Sequence, residues 1–178
     1  MNNYRNIVAV RNPNVQNTFQ QPHRQKFAFQ RPIIKYILQN PASGKAWKKL
    51  IQTCKYFFPK YPVYPIGRVT GQYGKWDGDR ENLDQIEELP PLWLYGDFRY
   101  FYAKKDISKL ITNVFRCNLR SLHIDNQILS WNDYQFLTSS ASFESIFIYN
   151  CSIKYSDGTI VTMDKLLENI HSLKDFGM

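Results

Sequence analysis

The 178-residue chain has 43% hydrophobic residues and a formal net charge of +8, which is typical of a folded basic protein of one or two domains. It contains no run of 18 or more apolar residues, which excludes a membrane-spanning helix, and its first thirty residues lack the apolar segment of a secretory signal. Three widely spaced cysteines favour a reduced protein inside the cell, in the cytoplasm or the nucleus.

The charge is divided unevenly along the chain. Residues 1–76 hold thirteen Lys or Arg and no acidic residue, whereas residues 77–178 hold ten basic and fifteen acidic residues. This asymmetry predicts either two functional parts or a basic segment that meets an acidic partner.

Residues 1–31 are predicted to form a disordered basic tail. Eleven of them are Asn or Gln, five are Arg or Lys, and the apolar residues follow neither a helical nor a strand period. Such a composition buries too little apolar surface to offset the entropy that ordering costs.

Residues 32–61 are predicted to form two short amphipathic helices. Pro32 stands in the first turn, where its missing N–H costs nothing, and Asn40-Pro41 ends the first helix. Ser43 is a candidate N-cap for the second helix, which Pro59 ends. The second helix has apolar residues at helical spacing: Trp47, Leu50, Ile51, Cys54, Phe57 and Phe58. Helices this short need a partner surface, so we expect their apolar stripe to pack on the rest of the chain or on another protein.

Residues 62–91 are rich in Pro, Gly and Tyr and are predicted to form a solvated connector loop. Gly74-Lys75 is followed by Trp76 instead of Ser or Thr, so the segment is not a phosphate-binding loop. Its acidic residues also lack the spacing of a calcium loop.

From residue 92 onward an apolar motif recurs. Leu119-x-x-Leu122-x-Ile124 returns 24 residues later as Phe143-x-x-Ile146-x-Ile148, and 30 residues further on as Leu173-x-x-Phe176-x-Met178. Helix-like stretches alternate with these short strands: Asp106–Phe115, Asn132–Leu137 and Met163–His171. A strand and a helix that alternate with this period are typical of a leucine-rich-repeat solenoid.

The predicted fold class is therefore α/β, with a short N-terminal helical pair followed by a small leucine-rich-repeat-like solenoid of short parallel strands and helices over residues 92–178. Solenoids normally end in a polar cap. Because Met178 lies inside a predicted strand, we expect this region to be truncated or to continue in a partner.

The helical pair resembles the F-box, in which a proline and an apolar helix precede a second helix that ends in a Cys-Lys-aromatic signature. That signature is here Leu50-x-x-x-Cys54-Lys55-x-Phe57. Over residues 32–178 the chain resembles the divergent nematode F-box proteins that have leucine-rich-repeat-like C-terminal parts. Arg31-Pro32-Ile33 stands where an F-box usually opens with a Leu-Pro-Glu-like triplet.

The resemblance implies a substrate receptor of a cullin-type ubiquitin ligase, with a Skp-family adaptor and an unknown protein substrate as its partners. The expected adaptor-binding residues belong to the helical pair: Pro32, Ile33, Ile34, Ile37, Lys49, Leu50 and Cys54. The basic helix face suits an acidic partner. Alternatively, these residues form the internal core of a helical cap on the repeats, and the two interpretations are not exclusive.

Target binding is predicted on outward-facing strand residues: Ser121, His123, Ser145, Phe147 and Tyr149. Phe147 and Tyr149, beside Tyr155, either form an aromatic target patch or pack under a neighbour.

No catalytic or metal-binding motif is apparent, so we predict a non-enzymatic protein without catalytic residues, metal or cofactor. The only histidines are His23, His123 and His171, and neither Cys-x-x-Cys nor His-x-x-x-His occurs. A dyad of His123 with Cys117 or Cys151 would lack a third, orienting group.

Single-stranded nucleic-acid binding is the alternative function. The basic N-terminal part contains interleaved aromatic residues, which could stack on bases: Phe27, Phe29, Tyr36, Trp47, Tyr56, Phe57, Phe58, Tyr61 and Tyr64. Against this, most of the helix aromatics share one apolar stripe and are expected to be buried.

Overall fold

The computed structural model describes residues 29–79, 81–101, 107–141, 143–168, 170 and 172–178, apart from the side chain of Glu87. Most of the predicted tail, residues 1–28, lies outside the described residues. Asp106 and His171, which were predicted as the ends of two helices, also lie outside them.

The two predicted N-terminal helices are present as α1 (Arg31–Gln39) and α2 (Gly44–Thr53). Proline occupies the first turn of α1, and the Ser43 hydroxyl caps α2 by accepting a hydrogen bond from the Ala46 N–H at 3.1 Å. Both signals were visible in the sequence, because each depends only on local backbone chemistry.

Helix α2 is shorter than the prediction. It ends at Thr53 because Cys54 adopts an extended conformation, with φ −142° and ψ 107°. A 3₁₀ turn at Phe58–Lys60 follows, and Phe57 is nevertheless buried beside Trp47. Of the six predicted apolar positions, Trp47, Cys54 and Phe57 are buried and the other three are half-buried, so the spacing located the apolar side but overestimated the length of the helix.

The prediction of a solvated loop over residues 62–91 is wrong. This segment contains strands β1 (Tyr64–Gln72), β2 (Lys75–Gly78) and β3 (Glu81–Asn82), and a 3₁₀ turn at Ile86–Glu88. Five of its buried apolar residues belong to the main core: Ile66, Val69, Trp76, Leu83 and Ile86.

The C-terminal half alternates strands with short helices. Its elements are β4 (Leu92–Phe101), α3 (Ile107–Thr112), β5 (Val114–Cys117), β6 (Ser121–Asp125), β7 (Ile128–Ser130), α4 (Trp131–Thr138), β8 (Ser145–Tyr149), β9 (Ser152–Lys154), α5 (Met163–Leu167) and β10 (Asp175–Gly177). The helices occur where the sequence predicted them, whereas β5 replaces the predicted last turns of the helix Asp106–Phe115.

Most strands of the described residues form one sheet in the order β10-β8-β6-β4-β1-β2-β3, with β5 also paired to β4. The pairs β1–β4, β4–β5, β4–β6, β6–β8 and β8–β10 are parallel, whereas β1–β2 and β2–β3 are antiparallel. A second, small sheet pairs β7 with β9 in parallel. The mixed α/β class is therefore confirmed.

The recurring sequence motif pairs in register. Leu122 lies opposite Ile146 and Ile124 opposite Ile148, as the 24-residue spacing requires. The third copy adds Phe176 opposite Ile146 on the other side of β8. Outside the main sheet, Leu129 lies opposite Ile153 in the same 24-residue register.

Two apolar clusters stabilise the fold. The main cluster joins one face of the large sheet to the three C-terminal helices through Leu110, Tyr134, Leu137 and Leu166. The second cluster joins the helical pair to the start of β4: Ile34, Trp47, Cys54, Phe57, Val63 and Trp93. Leu92 and Leu94 belong to the first cluster and Trp93 to the second, so the start of β4 is buried on both faces.

Asp79 connects the helical pair to β1. Its carboxylate accepts hydrogen bonds from the backbone N–H groups of Gly67 and Arg68, at 2.9 and 2.8 Å, and pairs with the Lys48 ammonium group of α2 at 2.5 Å. Burial alone would raise the pKa of Asp79, but these three hydrogen bonds together lower it.

We expect Asp79→Asn to lower the free energy of unfolding at pH 7 by about 1–3 kcal/mol, because charge-assisted hydrogen bonds are lost while asparagine still tolerates the left-handed backbone. Because the pKa of Asp79 is lowered in the folded state, its carboxylate stabilises the folded protein at pH values above the ordinary carboxyl pKa of about 3.9. This stabilisation is lost as the pH falls through the folded-state pKa. Chemical denaturation at pH 7 and pH 3 should show the difference between the variant and the wild type shrinking at low pH. Asp77→Asn, at an exposed position of β2, is the control and should have little effect at either pH.

Candidate interaction surface

Among the described residues, the helical pair packs on the face of the main sheet opposite helices α3–α5 near the starts of β1 and β4. Beyond that point, the strand registers align the outward residues in three rows, which we call the open face. The first row is Arg68, Asp97, Ser121, Ser145 and Asp175. The second row is Thr70, Arg99, His123, Phe147 and Gly177. The third row contains Gln72 and Phe101 on β1 and β4, and Asp125 and Tyr149 on β6 and β8.

Four rings of the open face form one cluster, the aromatic patch: Phe101, His123, Phe147 and Tyr149. The imidazole of His123 lies at its centre, with ring centroids 4.5 Å from Phe101, 5.6 Å from Phe147 and 5.7 Å from Tyr149. Phe147 and Tyr149 are stacked with centroids 6.5 Å apart, and Tyr149 is 38% exposed. The patch therefore offers ring faces and edges to a partner without being part of the main core.

All five predicted target-binding residues lie on the open face. His123, Phe147 and Tyr149 belong to the aromatic patch, whereas Ser121 and Ser145 are half-buried in the first row beside Asp97. Tyr155 instead packs against Trp131, with ring centroids 5.8 Å apart, and lies outside the patch.

Phe101 and Arg99 were missed by the sequence prediction. Both lie on β4, which lacks the full apolar motif and was not aligned with the repeats. A signal was nevertheless present, because Phe98 and Tyr100 stand 24 residues before Leu122 and Ile124 and face the same core. Extending the period upstream would have placed Arg99 and Phe101 on the outward side.

Most cations near the first row already have acidic partners. The Arg68 guanidinium lies 3.2 Å from the Asp97 carboxylate, and that of Arg120 lies 2.7 Å from Glu144. Arg99 is exposed, and within the described ranges its side chain makes no ion pair or hydrogen bond.

Burial in the aromatic patch lowers the pKa of His123, and the positive charge of Arg99 lowers it further, while Asp125 opposes the shift. With a pKa below the ordinary value of about 6.5, the imidazole is mainly uncharged at pH 7.

The folded protein is expected to lose stability relative to His123→Gln as the pH falls from 7.5 to 5.5. A His pKa below its ordinary value of about 6.5 means that the unfolded chain binds the proton more readily, so protonation favours unfolding. Urea denaturation of both proteins across this range measures the difference. The other histidines contribute equally to both proteins, so they do not affect this difference. A difference in the free energy of unfolding that stays constant with pH would contradict the described environment of the imidazole.

The predicted adaptor-binding residues divide into two groups. Ile34 and Cys54 are buried in the second apolar cluster, where Ile37 and Leu50 pack as half-buried members. Pro32, Ile33 and Lys49 are exposed. The exposed side of α1 is partly apolar, since Ile33 is 45% and Tyr36 is 68% exposed. The buried residues therefore form the internal core of the helical pair, and only the exposed residues are available to contact an adaptor.

The cysteines and His123 do not form a dyad. Cys117 is buried in the main core, on the other side of the sheet from His123, and burial raises the pKa of its thiol to about 12. Cys151 follows β8, and its sulfur lies 3.0 Å from the Tyr149 carbonyl oxygen; burial raises the pKa of this thiol too. Raised thiol pKa values oppose nucleophilic chemistry at neutral pH. Among the described residues, no group of three metal-binding side chains was found.

Comparisons with protein-family models, with curated proteins and with solved structures found no match to this chain. Within the described part of the chain, no helix has the length and apolar character needed to cross a membrane.

Proposed function

We propose that the protein is a non-enzymatic interaction adaptor that binds a partner protein on the open face. The observation that carries this proposal is the aromatic patch. Aromatic side chains are enriched at the buried centres of protein interfaces, where a few of them supply most of the binding energy. The polar rows around the patch match the usual arrangement of an apolar centre within a polar rim.

The strands and helices after residue 92 are proposed to be leucine-rich-repeat-like units. The 24-residue register of β6 with β8 and of β7 with β9 supports this, since each strand pair continues from one unit to the next. Asn126 and Asn150, also 24 residues apart, both adopt positive φ after β6 and β8, at 56° and 49°. Two equivalent asparagines in the same rare conformation indicate that the chain turns in the same way in both units.

The helical pair is proposed to be F-box-like and to dock on a Skp-family adaptor, which would make the protein a substrate receptor of a cullin-type ubiquitin ligase. Charge supports this, because residues 29–76 carry nine Lys or Arg and no acidic residue. Exposed apolar atoms of Ile33 and Tyr36 lie on α1 between these cations. An acidic partner with an apolar groove would complement this surface.

Co-purification with a Skp-family adaptor tests this part of the proposal. Ile33→Asp combined with Lys49→Glu is expected to abolish co-purification without changing the thermal unfolding temperature, since both side chains are exposed. Gln39→Glu, also exposed on α1, controls for added negative charge. Absence of binding between the wild-type protein and a Skp-family adaptor would exclude the ligase function. Partner binding on the open face is a separate proposal with its own test.

Single-stranded nucleic-acid binding is the second candidate, favoured by the same nine Lys or Arg residues in a segment without acidic residues. Few of the predicted aromatic residues are available to stack on bases. Trp47 and Phe57 are buried, whereas Phe29 and Tyr36 are exposed. Fluorescence anisotropy with labelled oligonucleotides should show binding at about 50 mM salt that weakens steeply as salt increases. Absence of binding at that salt concentration would remove this candidate.

A further inference from the structure

We propose that the open face binds an extended peptide segment in which a single acidic residue stands two to four positions from an apolar or aromatic side chain. This inference rests on the proposed protein-binding function and adds the chemical class of the partner. It depends on the position of Arg99 beside the aromatic patch.

Arg99 lies opposite His123 on the neighbouring strand, and His123 in turn lies opposite Phe147. Its guanidinium is exposed and has no ion pair or hydrogen bond with any residue that the structure describes. A carboxylate of a partner can therefore pair with Arg99 without displacing a partner from the described residues. Arginine is well suited to this, because its planar fork binds a carboxylate through two hydrogen bonds.

For a peptide that runs across the strands, the strand spacing sets the distance between its acidic residue, over Arg99, and its apolar residue, over the aromatic patch. Neighbouring strands are about 4.8 Å apart, so the backbones at Arg99 and Phe147 are about 10 Å apart, and an extended peptide advances about 3.3 Å per residue. A carboxylate over Arg99 and an apolar side chain over the rings of His123 and Phe147 are thus two to four residues apart.

The acidic residues of the open face limit how much negative charge the partner can carry. Asp125 lies in the row of Tyr149, and Asp175 lies in the row of the two serines. These carboxylates would repel a run of acids, and they would also repel the continuous phosphate charge of a nucleic acid. A peptide with a single acidic residue two to four positions from an apolar residue is therefore favoured over an acidic run and over a nucleic acid.

Panning a phage-displayed library of random dodecapeptides on the full chain tests the inference. The enriched peptides are expected to contain one Asp or Glu at the stated distance from an apolar or aromatic residue. Synthetic copies should bind Arg99→Gln about fivefold more weakly, as expected for one solvent-accessible ion pair. They should bind Tyr149→Ser at least about tenfold more weakly, because the most exposed ring of the aromatic patch is lost. Tyr73→Asn, at the exposed β1–β2 turn, is the matched control and should bind normally.

The other outcomes separate this inference from the function on which it rests. Peptides that need Tyr149 but show no acidic preference and bind Arg99→Gln normally would overturn the inference and leave the protein-binding function in place. If no peptide depends on Tyr149, or if random single-stranded oligonucleotides bind there instead, both are overturned. Thermal unfolding of each variant excludes misfolding, and His123→Gln provides a second substitution within the patch.

Discussion

Replacing Trp93 by alanine is expected to lower the free energy of unfolding by about 3–5 kcal/mol, the usual cost of removing a buried Trp or Phe side chain. Trp93 is 1% exposed and lies in the cluster that joins the helical pair to the sheet. Its indole N–H donates to the Asn118 side chain at 2.9 Å, and the Arg116 guanidinium lies 4.3 Å from its ring centroid. The substitution therefore removes apolar contacts, a hydrogen bond and a cation–π contact together.

Urea denaturation followed by circular dichroism measures this effect. Tyr36→Ala, at a 68% exposed position of α1, is the control and should change stability by less than about 0.5 kcal/mol. A similarly small effect of Trp93→Ala would contradict the packing of the helical pair on β4.

Replacing Gly96 by alanine is expected to cost about 3 kcal/mol or more, at the upper end of the range for overpacking. A Cβ atom at this position would lie 2.2 Å from the carbonyl oxygen of Gly67 on the neighbouring strand. The register of β1 with β4 shifts at this point, between Ile66 and Arg68, so the backbones are close where the ladder is irregular. Because the clash is with backbone, a rotamer change cannot relieve it, and the two strands have to separate.

Gly177→Ala is the matched control for Gly96→Ala. Its added Cβ would meet only side-chain atoms of Phe147 and Tyr149, at 2.8 Å, and these rings can shift. Thermal unfolding should therefore show a cost of about 1 kcal/mol for Gly177→Ala and a much larger cost for Gly96→Ala. Equal costs would mean that β1 and β4 do not approach as described.

Local signals in the sequence were enough to predict the helical pair and the parallel pairing of β6 with β8. Helical spacing of apolar residues located α2, and the 24-residue recurrence placed Leu122 opposite Ile146. The first signal is the period of the helical backbone and the second is an internal repeat of the sequence, and both can be read from the sequence alone.

The strands of residues 62–91 could not be predicted in the same way. Strand β1 contains one proline and two glycines, which are the residues that usually mark a turn. Gly71 is needed in a strand here because a Cβ would lie 2.5 Å from the Tyr100 ring and 2.6 Å from the Trp76 ring. The requirement comes from side chains on the two neighbouring strands, which composition does not reveal, so composition alone indicated a loop.

The candidate site was predictable only in part. His123, Phe147 and Tyr149 lie on strands that carry the motif, and alternation along each strand placed them on the outward face. Arg99 and Phe101 lie beside them because β4 pairs with β6, and only the weak upstream continuation of the 24-residue period, at Phe98 and Tyr100, pointed to this pairing.

The central claim, that the open face holds a protein partner, is tested most directly by comparing interactors of three proteins expressed at equal levels in the native cell. Tagged wild type, Tyr149→Ser and Tyr73→Asn would be purified and their interactors quantified by mass spectrometry. We predict at least one protein that is recovered equally with wild type and Tyr73→Asn, is lost with Tyr149→Ser, and binds the purified wild-type chain directly. The same set of interactors with all three proteins would contradict the claim.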